Sequence, residues 1–290
     1  MTASGTERVP GTPRIIQREK ERPLPRPHET RVMVVVNQKG GVGKTTTTVN
    51  LATCLAQGGL RVLVIDMDPQ GNASTALGVA HSAGTPGTWE VLLDGTPIAE
   101  VVQDSPEAEG LHCVPATVDL AAAELSLVNL VGREQRLKRA IRGYLAENEV
   151  DYILFDCPPS LGLLTLNALV AASEILIPIQ CEYYALEGVS QLMRTIQLVT
   201  DELNTDVRLS TVLLTMFDAR TKLSAQVARE VRNFFAEQTL DAQIPRSVRI
   251  AEAPSYGQTM QNFDPMSAGA KAYRRAAIEI ANRGKAADAR

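Results

Sequence analysis

Short, continuously apolar runs alternate along the chain with stretches whose apolar positions recur every three or four residues. The runs fall at residues 32–36 (Val-Met-Val-Val-Val), 61–66, 111–114, 151–156, 174–179 and 209–215. Several lack the apolar-polar alternation of a half-exposed strand. This marks strands covered on both faces, as in a parallel sheet. The helical patterns fall between them, at 44–57, 117–128, 133–147, 163–172, 185–203, 221–237 and 268–283. Strand–helix alternation implies right-handed crossovers. The expected fold is therefore α/β: a doubly wound, mostly parallel sheet with helices on both faces. In such sheets ligands bind at the carboxyl ends of the strands.

At 290 residues and 44% hydrophobic, the chain is long enough for one large domain, expected over 31–285. Residues 1–30 hold five prolines and ten charged residues with few large apolar ones, and are expected to form a disordered tail. No apolar run is long enough for a membrane span, and the N-terminus lacks the apolar core of a signal peptide. Four scattered cysteines, without a C-x-x-C pair, fit reduced thiols in a cytoplasm. The net charge is −4 but uneven: residues 215–290 carry 12 Lys and Arg against 8 Asp and Glu. If a polyanion docks, it docks on this last quarter; on charge alone an ordinary solvated surface accounts for the asymmetry equally well.

The first strand runs into Asn-Gln-Lys-Gly-Gly-Val-Gly-Lys-Thr-Thr at residues 37–46, and a helix follows. A glycine-rich turn at a helix N-terminus is a phosphate cradle. Gly40, Gly41, Val42, Gly43 and the amides through Thr46 would hold the phosphates. Lys44 would bridge the β- and γ-phosphates, and the Thr45 hydroxyl would ligate Mg²⁺. Two further motifs end strands: Asp66-Met67-Asp68-Pro69-Gln70-Gly71 and Asp156-Cys157-Pro158-Pro159-Ser160. A carboxylate there is costly unless a cation or donors meet it. Mg²⁺ on a triphosphate suits this place, because it retains waters that carboxylates orient. On this reading Asp156 orients those waters, Asp66 supports the metal shell and Asp68 positions the attacking water. The loop departs from G-x-x-x-x-G-K-[ST]: Gln38 stands where the first glycine belongs, and Lys39 precedes the glycine pair.

These residues resemble the ParA/MinD ATPases. Lys39 to Thr46 is similar to their deviant Walker A motif, Asp66 to Asn72 to their switch I, and Asp156 to Pro159 to their Walker B and switch II. The segments Gln180–Gly188, Leu214–Arg220, Ile244–Arg249 and Glu252–Gly257 resemble the chromosomal ParA (Soj) branch. The resemblance covers about residues 31–283. It implies a P-loop NTPase fold, ATP and Mg²⁺ as cofactors, and an ATP-dependent sandwich homodimer in which Lys39 reaches the partner's phosphates. It also implies sequence-independent binding of double-stranded DNA. The matching basic positions are Arg220, Lys222, Arg246 and Arg249, joined by Lys271, Arg274 and Arg275 of the last helix. Met216 and Pro245 are expected to line the adenine pocket. A ParB-type centromere-binding protein would stimulate hydrolysis, which is otherwise slow, and release the DNA. The expected location is the cytoplasm, on the nucleoid and away from the membrane. Two alternatives stay open: a MinD-like membrane-cycling ATPase, and a nucleotide-dependent scaffold without functional turnover.

Overall fold

The computed structural model describes residues 23–183 and 185–286. Among them, the strands are β1 (Arg31–Val35), β2 (Val62–Asp66), β3 (Gln103–Asp104), β4 (Leu111–Val114), β5 (Tyr152–Asp156), β6 (Glu174–Gln180), β7 (Arg208–Phe217) and β8 (Thr239–Pro245). They form one sheet in the order β3-β4-β2-β5-β1-β6-β7-β8. Every neighbouring pair is parallel except β3–β4. The connecting helices are α1 (Lys44–Gln57), α2 (Asn72–Ala76), α3 (Thr88–Leu93), α4 (Ile98–Val101), α5 (Ala123–Leu127), α6 (Arg136–Glu147), α7 (Leu163–Ala171), α8 (Ala185–Glu202), α9 (Lys222–Phe234), α10 (Val248–Glu252), α11 (Met260–Phe263) and α12 (Ala268–Ala286).

The apolar runs are explained by the two cores. Val32, Val34 and Val36 belong to the apolar cluster on one face, and Met33 and Val35 to the cluster on the other. β5 divides likewise, with Ile153 and Phe155 on one side and Tyr152 and Leu154 on the other. The chain passes from β1 to β2 on one side, and later from β5 across β1 to β6 on the other, so the strand order reverses at β1. The crevice beyond its carboxyl end is where such a sheet accepts a ligand.

Two expectations change. The packed body begins before Arg31: the Leu24 amide donates to Gly58 O at 2.9 Å, and Thr30 Oγ1 donates to Val150 O at 2.7 Å. Leu24 gives this segment an apolar anchor against α1's end. Residues 1–22 of the expected tail lie outside the described residues. The second change is at the two edges of the sheet, where neither the two-residue β3 nor the longer β8 was expected. The β8 sequence Thr-Leu-Asp-Ala-Gln-Ile-Pro alternates and includes polar residues because it is an edge strand. Its outer side is covered by α12, where Glu279 accepts from the amides of Asp241 and Ala242 at 2.8 and 2.9 Å. Covering an edge in this way blocks its use as a template for another chain.

Candidate active site

The loop after β1 is held by two neighbouring strands and by a bond within itself. Thr215 Oγ1 on β7 donates to Val42 O at 2.8 Å. Asn37 Nδ2 donates to Pro178 O on β6 at 2.8 Å, and Asn37 Oδ1 accepts from the Lys39 amide at 3.0 Å. Gly41 and Gly43 have φ of 73° and 89°, a region that side chains other than glycine rarely tolerate. At Gly40 and Gly41 an added Cβ would meet nothing within 4 Å, so the protein's own packing leaves the inside of the turn open. Gly43 is the N-cap of α1 and offers no side-chain oxygen, and the first turn carries no acidic residue. The amide end of a 14-residue helix is thus directed into the loop with its positive dipole uncompensated by side chains.

Lys44 is buried beneath this turn, its Nζ donating to Lys39 O at 3.3 Å. Burial pulls its pKa down, against the attraction of Asp156 and Asp68. Asp66 and Asp156 are register partners on β2 and β5, and both are fully buried. Their surroundings differ. Asp66 Oδ2 accepts from the Ser74 amide at 2.9 Å and from Ser74 Oγ at 2.7 Å, while Oδ1 accepts from the Asp68 amide at 3.1 Å. Burial still raises its pKa to about 6, with the Ser74 and Asp68 donors opposing. Asp156 Oδ1 accepts from Thr48 Oγ1 at 3.3 Å, and Oδ2 has no hydrogen-bond partner. Burial and then the neighbouring Asp66 push Asp156 well above the usual carboxylate range, with Thr45 and Lys44 opposing.

This donor set fits a Mg²⁺-bound polyphosphate. An orphaned, buried carboxylate oxygen is satisfied by a proton, a cation or a cation-bound water, and the helix end with Lys44 favours an anion. Thr45 and Thr46 are half-buried in the first turn of α1. Both oxygens of Asp66 accept from protein donors, which fix this carboxylate at the end of β2. Asp68 stands half-buried at the rim, its Oδ1 accepting from the Gln70 amide at 3.0 Å.

Lys39 is half-exposed and forms an ion pair with Glu182, just past β6. Met216 is the one described non-glycine residue with positive φ, 50°. Such a conformation costs about 1–2 kcal/mol, and it occurs beside Thr215, which holds the loop. Met216 is the penultimate residue of β7 and Pro245 the last of the adjacent β8, and the register pairs Phe217 with Pro245.

The basic positions share one corner. Arg220 and Lys222 follow β7, while Arg246 and Arg249 follow the adjacent β8. The start of α12 joins them, because Gly269 packs against Ile250 of α10. Lys222, Arg246, Lys271 and Arg275 are exposed. Arg220 is exposed but folded onto Asp218 by two bonds of 2.9 and 2.8 Å, which hold Asp218 down at about 2. Arg249 pairs with Asp264 at 2.8 Å and lies 5.1 Å over the Phe263 ring. Arg274 is half-buried and donates to Gln261 Oε1 at 3.3 Å. Tyr273 and Ile280 of α12 are buried in the domain, not available to a bilayer. No described helix is long and apolar enough to cross a membrane.

Sequence reasoning gave no role to Thr48, Ser74, Thr215 or Glu182 as a partner for Lys39. Thr48 had a signal: it lies four residues after Lys44, one turn along the same helix face. Ser74 and Thr215 depend on pairings across the fold that no local pattern announces.

A sequence-family model described as an AAA domain matches residues 30–209. The sporulation initiation inhibitor protein Soj of Bacillus subtilis is 48% identical over 254 residues, covering 88% of this chain and 99% of that protein. The chromosome partitioning protein ParA of Myxococcus xanthus is 51% identical over 243 residues, covering 84% and 85%. Among solved structures, a cobyrinic acid a,c-diamide synthase of Mycobacterium smegmatis with bound ATP analog and magnesium superposes with a TM-score of 0.76. It is 38% identical and covers 89% of this chain and 96% of its own.

Proposed function

Because the chain belongs to the ParA/Soj family of chromosome-partitioning ATPases, we propose that it binds Mg·ATP at the carboxyl end of β1 and segregates DNA through a nucleotide-controlled homodimer. The observation that carries this reading is the incompleteness of the buried site. Asp156 Oδ2 has no partner, Lys44 has only a backbone carbonyl at 3.3 Å, and the α1 amide end has no cap. Charged groups so placed are costly until counter-charges arrive.

On this reading the amides of Gly40 to Thr46 and the Lys44 ammonium hold the phosphates, and Thr45 and Asp156 meet the metal and its waters. Mg²⁺, when bound, supplies charge neutralisation at the β- and γ-phosphates. Asp66 braces this end of the sheet through Ser74, and Asp68 orients the attacking water. Met216 and Pro245 flank the adenine. Lys39 leaves Glu182 and reaches the partner's phosphates, so that ATP and dimerisation stabilise one another. Dimerisation doubles the basic corner formed by Arg220, Lys222, Arg246, Arg249, Lys271 and Arg274, giving phosphate-directed, salt-sensitive and sequence-independent affinity for double-stranded DNA. On this reading intrinsic turnover is slow, because the groups acting on Asp156 are Asp66, Thr45, Asp68 and Lys44, with no arginine among them. A ParB-type centromere-binding partner accelerates it and releases the DNA, in the cytoplasm on the nucleoid. The membrane-cycling alternative is disfavoured by α12, where Tyr273 and Ile280 are spent on the domain's own core and Ile278 alone of the three bulky apolar residues is exposed. A scaffold role without turnover is separated by D68A: persistence of partition and DNA release without hydrolysis would favour the scaffold.

The rate of phosphate release tests the assignment. Little activity is expected with ATP alone, and a large rise with DNA and the centromere-binding partner together. A fast rate independent of both contradicts it.

A further inference from the structure

The phosphate loop and the basic corner are far apart in sequence, yet one buried segment touches both. Asn50, on the second turn of α1, is almost fully buried and makes two bonds. Its Nδ2 donates to Thr46 O, in the first turn beside the phosphate loop, at 2.8 Å. Its Oδ1 accepts from the backbone amide of Met260 at 2.8 Å. Met260 opens α11, and the next residue, Gln261, is also fully buried. Gln261 Nε2 donates to Ala270 O at 3.0 Å, and its Oε1 accepts from Arg274 Nη2 at 3.3 Å. Two residues further, Phe263 and Asp264 hold Arg249 by ring contact and ion pair.

The segment is anchored elsewhere as well. Glu107 Oε2 accepts from the Thr259 amide at 2.8 Å and from Thr259 Oγ1 at 2.5 Å. Just upstream, Gly257 packs against α2: an added Cβ would lie 3.6 Å from Thr75 O, one turn after the Asp68 loop. A second contact joins the same helices, where Tyr273 OH on α12 lies 3.4 Å from Thr47 Oγ1 on α1. A surface segment needs none of these bonds to satisfy exposed groups. Here they fix α11 simultaneously to the nucleotide helix and to two arginines of the basic corner.

We propose that Asn50 is a positioning residue, and that through the 259–264 segment it sets Arg249 and Arg274 according to the nucleotide at the loop. The proposal rests on the function given above. When the first turn of α1 tightens around phosphate, the Thr46 carbonyl moves with it, and the planar amide of Asn50 passes the shift to the Met260 amide. Coupling of this kind needs a chain of contacts with two arrangements, not proximity alone. The test therefore reads the difference between nucleotide states.

DNA affinity is measured by fluorescence anisotropy with Mg·ATP and with Mg·ADP, for the wild type, N50A and Q261M, with the ATP affinity of each determined in parallel. The expected result is an ATP-over-ADP ratio reduced at least about tenfold in both variants, with ATP affinity within about twofold of wild type. Q261M keeps side-chain volume and protects the test if N50A does not fold. Hydrogen exchange of the wild-type amides at 259–264 gives a reading free of substitutions, and it should change between the two nucleotides. An unaltered ratio in folded variants, or unchanged exchange, overturns the proposal. If instead the wild type itself shows no ATP-dependent DNA binding, the function above fails.

Discussion

The two ends of one sheet treat buried charge in opposite ways. At the amino end, Arg31 donates to both oxygens of Glu174 at 2.6 Å, to Ile280 O at 2.6 Å and to Tyr152 OH at 3.1 Å. At the carboxyl end, Asp156 keeps an oxygen without a partner beside a second buried carboxylate. The two ends share central strands: Arg31, Tyr152 and Glu174 lie on β1, β5 and β6, while Asp156 and Asp66 end β5 and β2. The difference shows which end is structural and which is built to take a ligand: charges that serve only the fold are paired within it, and charges that serve binding are left incomplete.

Breaking the amino-end clasp should have the largest effect on the fold. Arg31→Ala strands a buried Glu174 and is expected to cost about 3–5 kcal/mol of stability in urea denaturation. A loss under 1 kcal/mol would erase the distinction between the ends.

The carboxyl end should behave in the opposite sense with pH. Asp66 is raised to about 6 in the folded protein. The folded state therefore binds more protons than the unfolded one between about pH 4 and 6, and this group's contribution falls as pH rises through that window, by up to about 3 kcal/mol. At Glu174 burial pushes the pKa up, but the Arg31 bonds outweigh it and the group ends low. Its contribution is present above the unfolded carboxylate range and is lost as pH falls through its folded value. Urea titrations at pH 4 and 7 should show Asp66→Asn gaining on the wild type as pH rises and Glu174→Gln losing ground.

Asp156→Asn sharpens the comparison further. Removing an unpaired buried charge should stabilise the nucleotide-free protein by about 0.5–2 kcal/mol. The same change should weaken Mg²⁺-dependent ATP binding at least about tenfold in calorimetry. Destabilisation with unaltered ATP binding would make Asp156 a structural residue like Glu174.

The smallest effect is expected at the rim. Lys39 and Glu182 are each about 40% exposed, so their pair is worth at most about 1 kcal/mol. Glu182→Gln should therefore strengthen ATP-dependent dimerisation by about two- to fivefold in sedimentation. Weaker dimerisation would mean that Glu182 assists Lys39 rather than holding it back.

Much of this was legible in the chain. The strands ending in Asp66 and Asp156 are apolar on both faces, so period and composition agree, and the glycine loop announces its own backbone. β8 was hidden because an edge strand carries Asp241 and Gln243 among its apolar positions. The division of labour between Asp66 and Asp156 was also hidden. Both end apolar strands, and only the folded position of Ser74 shows that Asp66 is held by protein donors on both oxygens while Asp156 keeps one oxygen without a partner. Asn50 looks like an ordinary helical amide until the fold brings Met260 to it.

The central claim is that this incomplete site switches the basic corner on. A titration of double-stranded DNA with no nucleotide, Mg·ADP and Mg·ATP, repeated across salt concentrations, tests it most directly. Tight binding only with Mg·ATP, insensitive to DNA sequence and falling steeply with salt, is the predicted result. Equal affinity in all three nucleotide states would contradict it.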